Sequence, residues 1–417
     1  MDSSLNIIDV AQVTPSNSDS AESLTLPLTF FDLIYFKLRA VERVIFYRLT
    51  DATRPFFDSV IEPLDLKPSI VYSQNDAVSF TVAETNAEFS RLSGNKQFPS
   101  TELYPLVPEL LSSDNSASVV SFQMEKRQPC FSNLGHTHVK HQDSSLPQDL
   151  IPNYNRTVIK SPTDSENKVL DEWHSLAKML AGGKEPENPK SLKLKPSFEI
   201  GPDVVRYTLE LTREDIQTLR ERLKREFSSS SPSPSKDLRL STFVIVYSYA
   251  LVCLIRARGG EPNRPVGYAF SVDCRSLINP PTPSYFGNCI SGCLRMMLKA
   301  KTFMGEEGLL AAAKMVSDSI EEWDESLAWK ISDFLAFATL PPGTQIILAS
   351  GSTRFGVYGL DFGWGRPDKV VIVSISQGNG ISMADSRDQN GGVEIGFSLK
   401  KQEMDTLIDL LQYDLKN

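Results

Sequence analysis

Groups able to accept a proton near neutral pH are scarce in this chain. Its 417 residues include four histidines, His136, His138, His141 and His174. Three of them share one polar run, His136-Thr137-His138-Val139-Lys140-His141-Gln142-Asp143. An imidazole in reach of a hydroxyl can serve as a general base, because its proton affinity lies near neutrality. The run reads as a solvated helix end or loop, so His138 and His141 are only fallback candidates for that role. A metal site from these histidines and Asp143 would need buried flanks, and the run has none in its sequence. Cys289 and Cys293 have a loosely metal-like spacing, but no histidine or second cysteine pair accompanies them, so no metal is expected. The five cysteines are odd in number, and Cys253 sits in an apolar helix-like run. That fits a reduced protein better than a disulfide scaffold.

A second concentration of chemistry is Asp361-Phe362-Gly363-Trp364-Gly365, with Gly356 and Gly359 just before it. Four glycines interleaved with aromatics describe a backbone that turns sharply while large rings stay packed. The Asp361 carboxylate needs a partner, and the sequence offers Arg275 or Arg354. Trp364 carries an indole N–H donor that either faces a ligand or lies buried in a core; both readings stand. The N-terminus of an apolar helix after Ser241, with Lys236 and Arg239 beside it, could meet phosphate groups.

These residues must be positioned by regular elements. Strands are expected at 6–13, 43–49, 78–83, 117–123 and 204–211. Thr212 begins a helix with Asp215 at its third position, a capping-box variant, and Ile216, Leu219 and Leu223 as its buried stripe. Residues 228–235 read as a flexible surface loop. Ser241 caps a helix that is apolar nearly all round and ends at Gly259-Gly260, so it belongs in the middle of a domain. A further helix spans 306–323, with Leu309, Ala313, Val316, Ile320 and Trp323 at helical spacing. Strands at 370–376 and 393–399 flank a polar turn, and a last helix covers 401–413. Gly, Pro and charge accumulate over 181–200, which reads as a crossover between an N-terminal domain (1–180) and a C-terminal one (201–417). Mixed strands and helices in both halves indicate an α/β fold.

Composition narrows the function. Hydrophobic residues make up 41% of the chain, enough for a sizeable core. Asp and Glu number 52 against 43 Lys and Arg, a formal charge of −9. That balance argues against a nucleic-acid partner but not against a locally basic pocket. Neither a signal peptide nor a membrane-length apolar run is read in the sequence.

Taken together, the motifs resemble those of one family. Asp361-Phe362-Gly363-Trp364-Gly365 is similar to the DFGWG signature of the BAHD acyltransferases, plant enzymes that move an acyl group from coenzyme A to an alcohol or amine. Tyr285-Phe286-Gly287-Asn288-Cys289, preceded by Val272-Asp273-Cys274-Arg275, resembles the YFGNC motif of the branch that acylates sugars of anthocyanins and other phenolic glucosides, often with malonyl groups. Leu26-Pro27-Leu28-Thr29-Phe30-Phe31-Asp32 and Asn155-Arg156-Thr157-Val158-Ile159-Lys160-Ser161-Pro162 match the same branch in order. The resemblance implies a two-domain fold like that of chloramphenicol acetyltransferase, a monomer, a cytoplasmic location, acyl-CoA (malonyl-CoA first) as co-substrate and no permanently bound cofactor. It places DFGWG at the rim of the channel as a scaffold and leaves Arg275 and Arg354 as candidates for an acidic acyl group. It also implies the chemistry. A histidine in an HxxxD motif takes the proton of the acceptor hydroxyl, the oxygen attacks the thioester carbonyl, and the oxyanion collapses with loss of CoA thiolate.

The chain departs from that pattern at the motif itself. Four residues after its histidines stand Lys140, Gln142, Ser145 and Lys178, so HxxxD is absent. At Cys130-Phe131-Ser132-Asn133-Leu134-Gly135 the approach to the motif runs directly into His136-Thr137-His138, which resembles the helix end on the motif's far side. A block of roughly 20–25 residues, a strand with one or two helical turns, is missing there. Asp58-Ser59-Val60-Ile61 meeting Glu62-Pro63-Leu64-Asp65 is a second such junction. The expectation is an acyltransferase by family with impaired activity; the alternative is an inactive binding relative or an aberrant splice product.

Overall fold

The computed structural model describes residues 5–13, 24–38, 41–48, 60–63, 68–72, 77–110, 112–114, 117–118, 121–127, 153–185, 188, 191–193, 200–230, 238–330, 340–361, 365–377 and 380–414. In the first half, strands β1 (Leu5–Val13) and β2 (Leu24–Pro27) precede a short helix α1 (Phe30–Tyr35). Strands β3 (Arg43–Phe46), β4 (Val60–Pro63), β5 (Pro68–Tyr72) and β6 (Val78–Thr85) come next, then helix α2 (Phe89–Leu92). Strands β7 (Phe98–Pro99), β8 (Ala117–Ser118) and β9 (Phe122–Arg127) and helix α3 (Ser165–Leu180) complete this half. One small sheet has the order β1-β6-β9 and another β2-β5-β4-β8. The strand expected over 117–123 is thus two separate strands, the two-residue β8 and then β9, which lie in different sheets.

The second half is built on a seven-stranded mixed sheet. Strand β10 (Val204–Leu211) leads into helix α4 (Arg213–Ser230) and helix α5 (Thr242–Arg258). After β11 (Pro265–Asp273) and β12 (Ile290–Lys299) come helices α6 (Lys301–Met304), α7 (Gly308–Glu321) and α8 (Glu325–Ala328). Strands β13 (Gln345–Gly351), β14 (Lys369–Ile372), β15 (Gly380–Asp385) and β16 (Val393–Lys400) and helix α9 (Lys401–Asp414) close the described chain. The sheet runs β12-β11-β13-β15-β16-β10-β7. Within it, only β11 with β13 and β13 with β15 are parallel.

Helix α5 is the centre of the largest core cluster, and the sequence explains why. Residues Val244 to Ile255 are all buried, as an all-round apolar helix requires. Ser241 caps it, its hydroxyl accepting the Val244 N–H at 3.2 Å, and Gly259 at positive φ ends it. The Tyr247 hydroxyl lies 2.9 Å from the Ala269 carbonyl and 2.7 Å from that of Ile347, tying the helix to β11 and β13. Helix α4 has the expected capping box, with Thr212 N–H and hydroxyl both donating to Asp215 at 2.9 and 2.7 Å.

Several elements differ from the sequence reading. Helix α4 continues through Ser230, into the stretch expected to be a loop, and its last serine hydroxyls fold back onto carbonyls three or four residues earlier. The expected strand 370–376 stops at Ile372 and becomes a 3₁₀ turn, Ser374–Gln377. Between it and β16 lies β15, whose pattern Gly-Ile-Ser-Met-Ala-Asp is too short to announce itself. Ile320 of α7 is solvent-facing at 37% exposure. Helices α1 and α3 were not anticipated.

Two strands of the first half pair outside it. Strand β7 is the far edge of the large sheet, beside β10, and β3 pairs with β14. A buried polar cluster sits at the same seam. Lys369 and Glu394 are 3% and 7% exposed, with Lys369 Nζ 2.8 Å from Glu394 Oε2 and 2.6 Å from Asn95 Oδ1. The Tyr358 hydroxyl donates to the same Glu394 oxygen at 2.7 Å. Burial, then the Glu394 charge, push the Tyr358 phenol far above its ordinary range, so it stays a donor.

Removing one member of this cluster strands its partner without water. Glu394→Ala is expected to lower unfolding stability by about 3–5 kcal/mol in urea titrations. The paired replacement Glu394→Leu with Lys369→Met should recover most of it, since no buried charge remains. A loss below about 1 kcal/mol for the single variant would place the pair in the class of exposed ion pairs.

Candidate functional site

Three of the motifs singled out in the sequence meet at one carboxylate. Asp32, on α1, is buried at 8% exposure. Its Oδ2 accepts the Thr29 N–H and the Thr29 hydroxyl, each at 2.8 Å, and Arg156 donates to the same oxygen. Its Oδ1 accepts the Asn288 amide at 3.0 Å. Leu26–Asp32, Asn155–Pro162 and Tyr285–Cys289, up to 256 positions apart, are therefore joined by charge-assisted bonds in a nearly dry site. Sequence reasoning picked out all three segments but did not foresee their meeting; the clue was an acid, a base and an amide, each inside an otherwise apolar or turn-like stretch.

The rest of Tyr285-Phe286-Gly287-Asn288-Cys289 is arranged around that anchor. Tyr285 is buried and Phe286 is 65% exposed. A Cβ on Gly287 would lie 2.5 Å from the Tyr285 hydroxyl and 2.6 Å from its Cζ, so only glycine lets the ring fold back. The Cys289 carbonyl accepts the Cys274 N–H at 2.8 Å, closing the base of the loop. Arg275 binds the loop from inside: its guanidinium donates to the Tyr285 and Gly287 carbonyls at 3.0 and 2.7 Å and to Asp273 at 2.9 Å. Burial, aided by Cys289, pushes the Cys274 thiol up to about 12, and burial pushes Cys289 to about 11. Both are neutral thiols and poor nucleophiles. Phe286 and Tyr154 form an edge-to-face pair at 5.3 Å on the surface.

Arg275 is therefore not the partner of Asp361. Instead Asp361 Oδ1 accepts the Gly365 N–H at 2.9 Å, closing its own turn, and Gly365 has φ +80°. Phe362, Gly363 and Trp364 lie outside the described residues. The feet of this loop, Tyr358 and Lys369, are both held on Glu394. So the described ends of this loop are braced, although Asp361 is exposed.

Arg354 instead lines a cleft of about 480 Å³ at the N-terminus of α5, together with Arg239, Ser241, Ser317, Ile320 and Glu321. The 17-residue helix directs its positive end into this cleft, beside two guanidinium groups. One acidic residue, Glu321, also lines it. The arrangement suits an anionic group of a ligand. Lys236 lies outside the described residues.

The proton acceptors are less informative. His136, His138 and His141 lie outside the described residues. His174 sits on the exposed side of α3, with Nε2 3.1 Å from Glu185, away from the cleft residues. Among the described residues no group of three His, Cys, Asp or Glu could hold a metal ion, and no helix is long and apolar enough to cross a membrane.

Comparison with known proteins gives a consistent result. A model of the Transferase family matches residues 148–410. The chain is 64% identical to phenolic glucoside malonyltransferase 1 of Arabidopsis thaliana, covering 100% of this chain and 99% of that protein. It is 39% identical to the Arabidopsis malonyl-CoA:anthocyanidin 5-O-glucoside-6''-O-malonyltransferase, over 99% of each. The first alignment spans 464 positions against 417 residues here, so about 47 positions are gaps on this side. Among solved structures, vinorine synthase shares the fold, with TM-score 0.59 at 17% identity over 98% of both chains. So does TRI101 of F. sporotrichioides, solved with coenzyme A and T-2, with TM-score 0.53 at 13% identity, covering 92% of this chain and 97% of that one.

The carboxylate junction and the glycine beneath Tyr285 make separable predictions. Asp32→Ala leaves the Arg156 cation and the Asn288 amide unpaired, and should cost about 3–5 kcal/mol of stability. Gly287→Ala forces the Tyr285 ring outward and should cost about 1–3 kcal/mol. Chemical denaturation of both variants checks them; a neutral Gly287→Ala would show that the ring has another resting place.

Proposed function

The chain belongs to the Transferase family of BAHD acyltransferases, and on that premise we propose that it moves a malonyl group from malonyl-CoA to a sugar hydroxyl of a phenolic glucoside. The likeness to plant malonyltransferases along the whole chain carries this reading. The basic cleft supports it from the structure. In the proposal, Arg239 and Arg354 and the positive end of α5 take the phosphates of the CoA moiety, and the pantetheine runs from there toward the junction of the two halves. Hydroxycinnamoyl-CoA is the runner-up donor. The protein acts as a cytoplasmic monomer of two domains, divided near 181–200.

Rate is where this chain is proposed to fall short. With no HxxxD in the sequence, no imidazole is assigned to take the acceptor's proton. Loss of a general base removes about 10²–10⁴-fold of rate. What remains is juxtaposition of hydroxyl and thioester, which contributes by fixing their approach. The absent motif favours a second reading, in which the chain holds acyl-CoA without transferring it.

Purified protein incubated with malonyl-CoA and a phenolic glucoside decides between them through release of free CoA thiol. Slow turnover, coupled to a malonylated glucoside, is the expected result; no turnover with intact CoA binding is the binding-protein outcome. His138→Ala and His141→Ala should leave the rate unchanged within about twofold, since neither is assigned the proton. Arg239→Ala and Arg354→Ala should each weaken CoA binding, by roughly 10-fold for a charged hydrogen bond. CoA affinity unaffected by both would remove the cleft from the donor site.

A further inference from the structure

Helix α4 ends in a feature that neither the fold nor the proposed transfer uses. Its last residues are Ser228, Ser229 and Ser230, all exposed. Their hydroxyls donate to carbonyls of the terminal turn: Ser228 to Lys224 at 2.9 Å, Ser229 to Arg225 at 3.0 Å and Ser230 to Phe227 at 3.0 Å. The Lys224 and Arg225 carbonyls have helical amide partners four residues on, so these hydroxyls add back-bonds that loosen the turn slightly. The turn sits where the helix dipole is negative. Lys224 and Arg225 stand four and three residues before Ser228, the placement of positive charge that kinases with acidic substrate grooves select.

A cation lies on the Ser230 side of the same turn. Lys314 Nζ is 3.5 Å from the Ser230 hydroxyl and 5.1 Å from the centre of the Phe227 ring. Lys314 belongs to α7, one turn before Ser317, which lines the basic cleft. The Ser317 hydroxyl also donates to the Arg239 carbonyl at 3.4 Å. The serine turn and the cleft thus flank one short stretch of α7.

We propose that this turn is a phosphorylation site for a basophilic serine kinase, with Ser228 the acceptor, and that the phosphate weakens binding of the anionic donor in the cleft. The second part rests on the reading of the cleft as the donor site. In the transfer, Ser228 Oγ attacks the γ-phosphorus of Mg-ATP. The new O–P bond forms as the bond to the bridging oxygen breaks, ADP leaves with that electron pair, and the hydroxyl proton passes to the kinase. The product carries nearly two negative charges where the helix dipole is already negative. It replaces a donor to the Lys224 carbonyl with acceptors, so the last turn unwinds. The added charge makes the field at the cleft mouth more negative. A polyanionic donor such as CoA then binds less well.

The test uses the full chain, a basophilic serine kinase catalytic domain and Mg-ATP, with the phosphate mapped by mass spectrometry. CoA affinity is measured by calorimetry before and after, at low and at physiological salt. We expect phosphate on Ser228 and CoA affinity lower by roughly 3–10-fold at low salt, with the difference shrinking as salt rises. The triple variant Ser228→Ala, Ser229→Ala, Ser230→Ala should resist phosphorylation and bind CoA as the parent does. Ser228→Glu should reproduce part of the loss without a kinase, and circular dichroism should show the fold intact. Phosphate confined to Ser231, Ser233 or Ser235, or none at all, overturns the assignment. A phosphorylated turn with unchanged CoA affinity overturns the coupling. If the unmodified protein does not bind CoA, the donor reading of the cleft fails and the coupling with it, while the phosphate map alone still judges the site.

Discussion

One carboxylate governs the geometry around the sequence motifs. Asp32 receives Thr29 from its own turn, Arg156 from the segment before α3, and Asn288 from the loop between β11 and β12. Each of these segments is irregular, and none could hold its shape on backbone pairing alone. An ionised group withdrawn from water must satisfy its lone pairs or lose its charge. That demand fixes the distance between α1 and the loop, and so decides where the buried Tyr285 and Cys289 can pack. Packing then reinforces the anchor: Trp173 of α3 donates to the Leu33 carbonyl at 2.8 Å, and Trp329 stands against Phe30 and Phe31 at 5.2 and 5.0 Å.

The second constraint is the seam between the halves. Strand exchange through β7 and β3 gives it backbone bonds, and the Lys369–Glu394 pair gives it a dry electrostatic lock. A guanidinium nearby works in the same way: Arg206 is 4% exposed and donates to the Ile372 and Val373 carbonyls at 2.6 and 3.2 Å and to Ser376 at 2.8 Å. Burial lowers its pKa to about 10, which still leaves it charged. The cleft lies at the N-terminal end of α5, where a helix terminus and two arginines supply a fixed positive field.

Much of the second half was legible in the sequence because its signals are local. The Thr212 capping box, Ser241 as a cap, Gly259 as a stop and the all-apolar run between them are physical instructions within a few residues of each other. Strands β10 and β16 could be read for the same reason. In the first half, strands β1, β3 and β6 stand where the sequence placed them, but the helices could not be read. Helix α1 is six residues of mostly aromatic and branched side chains, which has the composition of a strand, and only its capping aspartate makes it helical. Helix α3 opens on charged residues and shows its apolar stripe, Val169, Trp173 and Leu176, only once its register is known. At the site, the motif residues were visible but their partners were not. The pairing of Asp361 with an arginine was a fair inference from charge. Arg275 is taken up by backbone carbonyls and Asp273 instead, and no local rule reveals which carbonyls a folded loop will leave open.

Helix α5 has a consequence for how this chain is made. All but Ser248 of its twelve consecutive buried residues belong to a core cluster whose earlier described members all come from β10 and α4. The strands that flank it, β11 and β13, and the helix α9 whose Leu411 carbonyl receives Tyr249, emerge only later, the last of them 162 residues on. During that interval the ribosome exports a greasy segment that cannot yet be enclosed, and contacts so distant along the chain form slowly. The core of this half therefore closes only once α9 is available to pack, which exposes an apolar segment to misassociation in the meantime.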